Sequence, residues 1–249
     1  MDSLWLLAGA GFMAGAMNAL AGGGSFVSLP ALIAAGVPPV LANTSSTVAL
    51  YPGSMASAWA YRDNLSGVAE VPLRPLLIVT VLGGIAGALL LLTLPSRSFD
   101  AALPWLLLMA TFALGFGRRI GEWVRTRCRL PRAVVLCLQF CLGAYGGYFG
   151  GAVGIMMVAV WGLLGAHDLK RMSGPRVLMV TAANTMAVLI FIAAGAVDWP
   201  ATAVMLVTAS LGGYAGALVG RRIPGPVVRY GTLALTIAIT VAFFVRAYG

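Results

Sequence analysis

Side chains able to do acid–base, nucleophilic or metal chemistry are few in this chain, and none is placed for it. The seven acids are Asp2, Asp63, Glu70, Asp100, Glu122, Asp168 and Asp198, and there is a single histidine. None of these, and no lysine, falls at the centre of an apolar run, so the buried carboxylate relay of many transporters is not visible. Cys137 and Cys141 are spaced i, i+4 on one helix face, but with Cys128 as the only other cysteine there is no CxxC and no fourth ligand. No catalytic dyad, triad, metal set or cofactor motif is present. The sequence argues against an enzyme and leaves a membrane-embedded enzyme or assembly factor as the distant alternative.

What the apolar stretches do contain is glycine beside neutral polar side chains. NALAGGGSF (18–26) sets Asn18 and Ser25 around Gly22, Gly23 and Gly24, and a second cluster holds Gly150, Gly151 and Gly154. Glycine costs a helix about 1 kcal/mol relative to alanine, so each cluster reads as a helix end. Irregular backbone at membrane depth must be buried in protein or line a cavity. A helix beginning there would aim its unpaired N–H groups and positive dipole end at that cavity, making an anion site. Ser25 is expected to cap the helix that follows, and Gly154, aligned with Gly22, to play the same part in the second cluster.

Other polar residues fall at similar depth: Ser54, beside an expected break at Pro52–Gly53, and Thr181 with Asn184. Asn43 opens a polar run through Thr47, nearer the outer end of its helix. A lone Ser or Thr in a membrane helix ordinarily bonds its own helix carbonyl, whereas an Asn amide needs several partners. Together they favour a small polar cavity. The substrate-binding candidates are Asn18, Gly22, Gly23, Gly24, Ser25, Asn43, Ser54, Gly150, Gly151, Gly154, Thr181 and Asn184. Arg176, next to Pro175 near an expected helix start, is either an anchor for the charged face or a residue steering anions into the inner mouth.

The elements that hold these residues follow from composition. The 249 residues are 60% hydrophobic and only 9% charged, with a mean hydropathy of +0.95. Soluble domains carry about 25% charged residues, so the chain reads as an all-α polytopic membrane protein. The N-terminus has no Lys or Arg and no cleavage signature, so the first segment is expected to be retained. The net charge of +9 lies in short loops, which speaks for membrane orientation rather than nucleic acid.

Apolar runs long enough to cross a bilayer fall at about 40–61, 72–94, 100–117, 177–195, 200–219 and 227–245. Residues 4–36 and 132–166 differ: each is interrupted by glycines and leaves only a short piece, 26–36 or 155–165, that reaches about halfway across. They read as a helix and a half-helix folded as a hairpin. On that reading the loops 62–74, 118–132, 166–176 and 221–229 share one face and hold fourteen of the sixteen Lys and Arg residues. That face is then cytoplasmic, with both termini outside.

The halves also resemble each other. GFMAG (11–15) matches GAYGG (143–147), LGGIAGAL (82–89) matches LGGYAGAL (211–218), and Ser54 falls over Asn184. The expected organisation is a first repeat 1–120, a basic cytoplasmic connector 121–131 and a second repeat 132–249, forming one transport domain. It is an inverted-topology duplication, each half a broken hairpin plus three transmembrane helices, with about eight spans in ten helical elements. The GxxxG spacings at 11–15, 83–87, 143–151 and 212–216 suit close helix packing.

The stretch NALAGGGSFVSLPALIAAGVPPVLANTSSTVALYPGSMASAWAYR (18–62), with YGGYFGGAVG (145–154) and VDWP (197–200), resembles the TauE/SafE family of sulfite and sulfonate exporters over nearly the whole chain. The resemblance implies export of a small sulfur oxyanion across the bacterial cytoplasmic membrane. Family members carry glycines where this chain has Ala152 and Val153. Import or channel-like passage of a related anion such as thiosulfate is the alternative within transport. A coupling proton or sodium ion, simple electrogenic exit and a homodimer all stay open.

Overall fold

The structure, a computed structural model, describes residues 2–63, 65, 67, 71–125, 131–151, 153–163, 169–220 and 223–248. Among them are ten α-helices: α1 (Asp2–Ala21), α2 (Ser25–Ala34), α3 (Pro39–Ala60), α4 (Leu73–Thr93), α5 (Ser96–Arg125), α6 (Arg132–Phe149), α7 (Val153–Leu163), α8 (Leu169–Ala193), α9 (Trp199–Gly220) and α10 (Gly225–Tyr248). Proline marks several starts, as at Pro38–Pro39, Pro72 and Pro131. Its fixed φ suits a first turn, and its missing N–H is not needed there. The central part of the connector, 126–130, lies outside the described residues, with Cys128, Arg127 and Arg129; so do Glu70, Ala152, Asp168, Arg221 and Arg222.

Among the described residues, seven helices are long and apolar enough to cross a membrane, one fewer than the eight expected. The missing one is α3. At 22 residues it is about 33 Å long and spans by length, but its composition is too polar. The reason lies in its surroundings: every residue from Ala42 to Leu50 is buried in protein, so the polar run is shielded from lipid by neighbouring helices. The chain is a multi-pass, all-helical membrane protein.

The short helices α2 and α7 are enclosed rather than lipid-facing. Phe26, Leu29 and Leu32 on α2, and Met157 and Trp161 on α7, are among the most deeply buried side chains. A half-helix that cannot span has its open end satisfied only if protein surrounds it. At the base of α7 the Trp161 indole donates to Gln139 Oε1 (2.9 Å), and Gln139 Nε2 donates to Thr80 Oγ1 (2.7 Å).

The repeated glycine motifs pack crosswise. A Cβ on Gly15 would overlap the Ala209 carbonyl, one on Gly212 the Phe12 backbone, and one on Gly216 the Ala16 backbone. On the opposite side, Gly83 and Gly87 lie on the backbone of Ala144, and Gly147 lies on Gly84. So GFMAG of the first half packs on LGGYAGAL of the second, and GAYGG of the second on LGGIAGAL of the first. Small residues let the helices approach to backbone contact.

Four local expectations are corrected. The helix α2 begins at Ser25 itself; the cap position is Gly24, already helical (φ −56°, ψ −32°), with no side-chain cap bond. A side-chain cap needs extended backbone before the helix, and here the Gly24 carbonyl instead takes the N–H of Val27 and Ser28. There is no break at Pro52–Gly53, because α3 runs through Pro52. Arg176 is not near a helix start, since α8 begins at Leu169 and carries Pro175 inside it. Finally, Gly22 corresponds to Gly150, not Gly154. Both adopt positive φ (76° and 69°) where their long helix ends, a conformation glycine reaches at little cost. The helix α6 therefore ends about one turn sooner after its matched glycines than α1 does. In addition, α5 runs on to Arg125, so the first part of the basic connector is helical.

Candidate functional site

Three elements converge on one cavity. The first is the end of α1 with its glycine turn, bringing Asn18, Gly22 and Ser25. The second is the α6–α7 turn, bringing Gly150, Val153 and Gly154. The third is a wall formed by α3 and α8. The two turns touch, for a Cβ on Gly151 would come within 2.8 Å of Ser25 Cβ. A Cβ on Gly150 would overlap Thr47 Oγ1, so only glycine fits where the second turn meets α3.

The wall has helical spacing. Thr47, Leu50, Ser54, Ser57 and Tyr61 line the cavity from α3, and Arg176, Val177, Val180, Thr181 and Asn184 from α8. Steps of three and four keep each set on one helix face. The cavity is about 130 Å³, which by the share of volume a liquid water takes, about 30 Å³, holds a handful of waters or one small solute. Of its lining residues, Ala19 and Tyr61 are exposed, Tyr61 by 40%.

Its electrostatics favour an anion. Among the described residues no acid lines it, and Arg176 is its one charged side chain. Arg176 stands beside the first turn of α7, its Cδ 3.9 Å from where a Cβ on Gly154 would be. The starts of α2 and α7 both reach the cavity and add the positive ends of two helix dipoles. At α2 the N–H groups of Phe26, Val27 and Ser28 turn back onto Gly23 and Gly24 carbonyls. Among the described residues, that leaves the N–H of Ser25, a lining residue, for a ligand. Asn184 is only 6% exposed, and its Oδ1 is buried without a hydrogen-bond partner.

Nine of the sequence candidates line the cavity: Asn18, Gly22, Ser25, Ser54, Gly150, Gly154, Arg176, Thr181 and Asn184. Four do not. Gly24 is a packing residue, where a Cβ would press on the Ala14 carbonyl and Asn18 Cβ. Gly23 is buried, and Gly151 sits between Ser25 and Phe149. Asn43 lies away from the cavity, its amide donating to the Tyr148 carbonyl (3.0 Å). Thr47, Ser57 and Tyr61 were missed as lining residues. Their spacing from Ser54 at −7, +3 and +7 is a signal the sequence does carry.

Beyond the cavity, away from Tyr61, the molecule is sealed by polar side chains of α3. Thr44 Oγ1 donates to the Ala196 carbonyl, Ser45 Oγ accepts from the Asp198 N–H (2.9 Å), and Ser46 Oγ bonds Ser28 Oγ (2.6 Å). With Asn43 on Tyr148, this seam ties α3 to α2, α6 and the α8–α9 turn.

Comparison with known proteins agrees with a transport role. The chain is 29% identical over 219 residues to a "probable membrane transporter protein" of Haemophilus influenzae, covering 87% of this chain and 85% of that one. It is 28% identical over 212 residues to the "probable membrane transporter protein YfcA" of Escherichia coli K12, covering 85% and 77%. To the "probable membrane transporter protein ORF9" of a Sinorhizobium species it is 27% identical over 215 residues, covering 86% and 80%. No solved structure matches. The protein is a membrane transporter. The family described as "Sulfite exporter TauE/SafE" matches residues 7–243, and the chain belongs to that family.

Proposed function

We propose that this transporter exports a small sulfur-containing anion, sulfite, a sulfonate or similar, through the cavity between its two halves. The observation that carries the reading is the cavity itself: two glycine turns in contact, two half-helix starts and, among the described residues, one arginine and no acid. The family's printed description supplies the sulfur chemistry. The halves are read as an inverted repeat, which the crosswise packing of GFMAG and GAYGG supports. In the bacterial cytoplasmic membrane the basic loops face the cytoplasm and both termini face outward. The cavity then opens toward the cytoplasm and its sealed seam faces out, the form in which an exporter loads.

The membrane potential, negative inside, drives an anion outward by about 2.3 kcal/mol per charge per 100 mV, enough to power export even with no coupled proton or sodium ion. The test is purified protein in proteoliposomes, with a panel of sulfur oxyanions and imposed proton, sodium or voltage gradients. Saturable transport with counterflow, accelerated by a potential negative on the loading side, supports the proposal. Flux only in the opposite direction makes the protein an importer, flux without counterflow makes it a channel, and conversion of sulfite to a product makes it an enzyme.

A further inference from the structure

Fourteen of the sixteen Lys and Arg residues fall in the loops 62–74, 118–132, 166–176 and 221–229. The other two, Arg97 and Arg246, are far apart in the chain and yet line one pocket. Arg97 stands in the first turn of α5 and Arg246 in the last turn of α10. Asp100, Phe243 and Tyr248 share the lining, and the cavity is about 320 Å³, the size of a small-ligand site. The Arg246 guanidinium lies over the Phe243 ring, 5.8 Å from its centre. Among the described residues, Arg97, Asp100 and Arg246 form no ion pair.

The surroundings are those of a membrane interface. Trp105 and Tyr248 are both exposed, and such rings collect at headgroup level. The Trp105 indole donates to Tyr248 Oη (3.1 Å), and the Tyr248 hydroxyl donates to the Ala101 carbonyl (3.1 Å). Phe244 meets Trp105 edge-on at 5.2 Å and stacks on Tyr248 at 6.0 Å. These contacts hold the end of α10 against the start of α5. Farther along the same two helices, Leu108, Phe112, Val241 and Ile237 are exposed, a surface for hydrocarbon chains.

A single arginine near a helix end ordinarily snorkels to the interface and needs no ligand. Two from different helices at one cavity, with an acid beside them, ask for more. The guanidiniums suit a phosphate, which they can bind through paired N–H groups. Asp100 repels a bare phosphate or sulfate and suits an ammonium. One molecule that satisfies all three carries both charges, and the apolar surface below suits one with acyl chains.

We propose that this pocket binds the headgroup of a phospholipid carrying a phosphate and a primary ammonium. The phosphate goes to Arg97 and Arg246, the ammonium to Asp100, and the chains lie along α5 and α10. The site is separate from the central cavity and does not depend on what that cavity carries.

The test is native mass spectrometry of the full chain, purified in detergent and stripped of lipid. The probes are short-chain phosphatidylethanolamine, phosphatidylcholine and phosphatidylglycerol, and free phosphoethanolamine. The first should bind about fivefold more tightly than the other two lipids, the scale of one exposed charge pair. A methylated head offers Asp100 no N–H, and a glycerol head offers it no charge. Asp100→Asn should erase this preference while binding persists. Arg97→Gln with Arg246→Gln should reduce all three lipids to non-specific adsorption. All three side chains are exposed, so both variants should keep the wild-type thermal midpoint without lipid. Equal binding of the three lipids by the wild type, or undiminished binding by the double variant, would overturn the proposal. Free phosphoethanolamine binding as tightly as the lipid would make this a small-solute site and overturn the lipid assignment.

Discussion

The two ends of α3 use polar residues in opposite ways. From Asn43 to Ser46 the side chains are buried and paired with other segments: Tyr148, Ala196, Asp198 and Ser28. From Thr47 to Tyr61 the polar side chains that face the cavity bond back to their own helix, or not at all, and only Tyr51, outside the lining, reaches across to the Thr185 hydroxyl of α8. The same kinds of residue close one end and open the other. What separates them is whether the protein supplies partners of its own. Where it does, polar groups act as a seam; where it does not, they wait for solvent or ligand.

The sharpest way to break this comparison is accessibility. With the native cysteines replaced, Ser57→Cys should react with a membrane-impermeant thiol reagent orders of magnitude faster than Thr44→Cys. Equal rates would abolish the distinction between the two ends. Next in size, Arg176→Gln or Asn184→Leu should lower transport about 10- to 100-fold, the loss of one or two polar ligand contacts, with little change in thermal midpoint. Asn43→Leu should do the reverse. It orphans the Tyr148 carbonyl and costs about 1–3 kcal/mol, read as a lowered midpoint in detergent with transport scaling to the protein that survives. Thr44→Val should cost about 1 kcal/mol in the same assay. The smallest effect belongs to Ser57→Ala, whose hydroxyl bonds the Gly53 carbonyl; transport should change less than about twofold, since surface substitutions away from partners matter little.

Much of this was legible in the sequence. Glycine clusters inside apolar runs located both hairpins, because few other residues end a helix at that depth. Asn18, Ser54, Thr181 and Asn184 stand out as polar residues at one depth, and Arg176 as a charge at the inner mouth. Asn43 misled because its partner, the Tyr148 carbonyl, lies 105 residues away, and no local pattern reports a contact at that range. The one-turn mismatch between Gly22 and Gly150 was hidden for a related reason. Aligning Gly11 with Gly143 and Gly15 with Gly147 fixes the packing register, but where each helix then stops is decided by positive φ at one glycine. Ser25 looked like a cap by residue type; the helical backbone of Gly24 decided otherwise.

The shorter run of α6 has an electrical meaning. One turn is roughly 6 Å, about a fifth of a 30 Å hydrocarbon core. On the proposed inverted topology, two turns of unequal reach would meet off the midplane, and a bound anion would cross unequal shares of the field on arrival and on departure. On that scale the difference is worth up to about 0.5 kcal/mol per charge at 100 mV. Voltage would then act mainly on one leg of the cycle, and the affinity measured from one side of the membrane should depend on potential more steeply than that measured from the other.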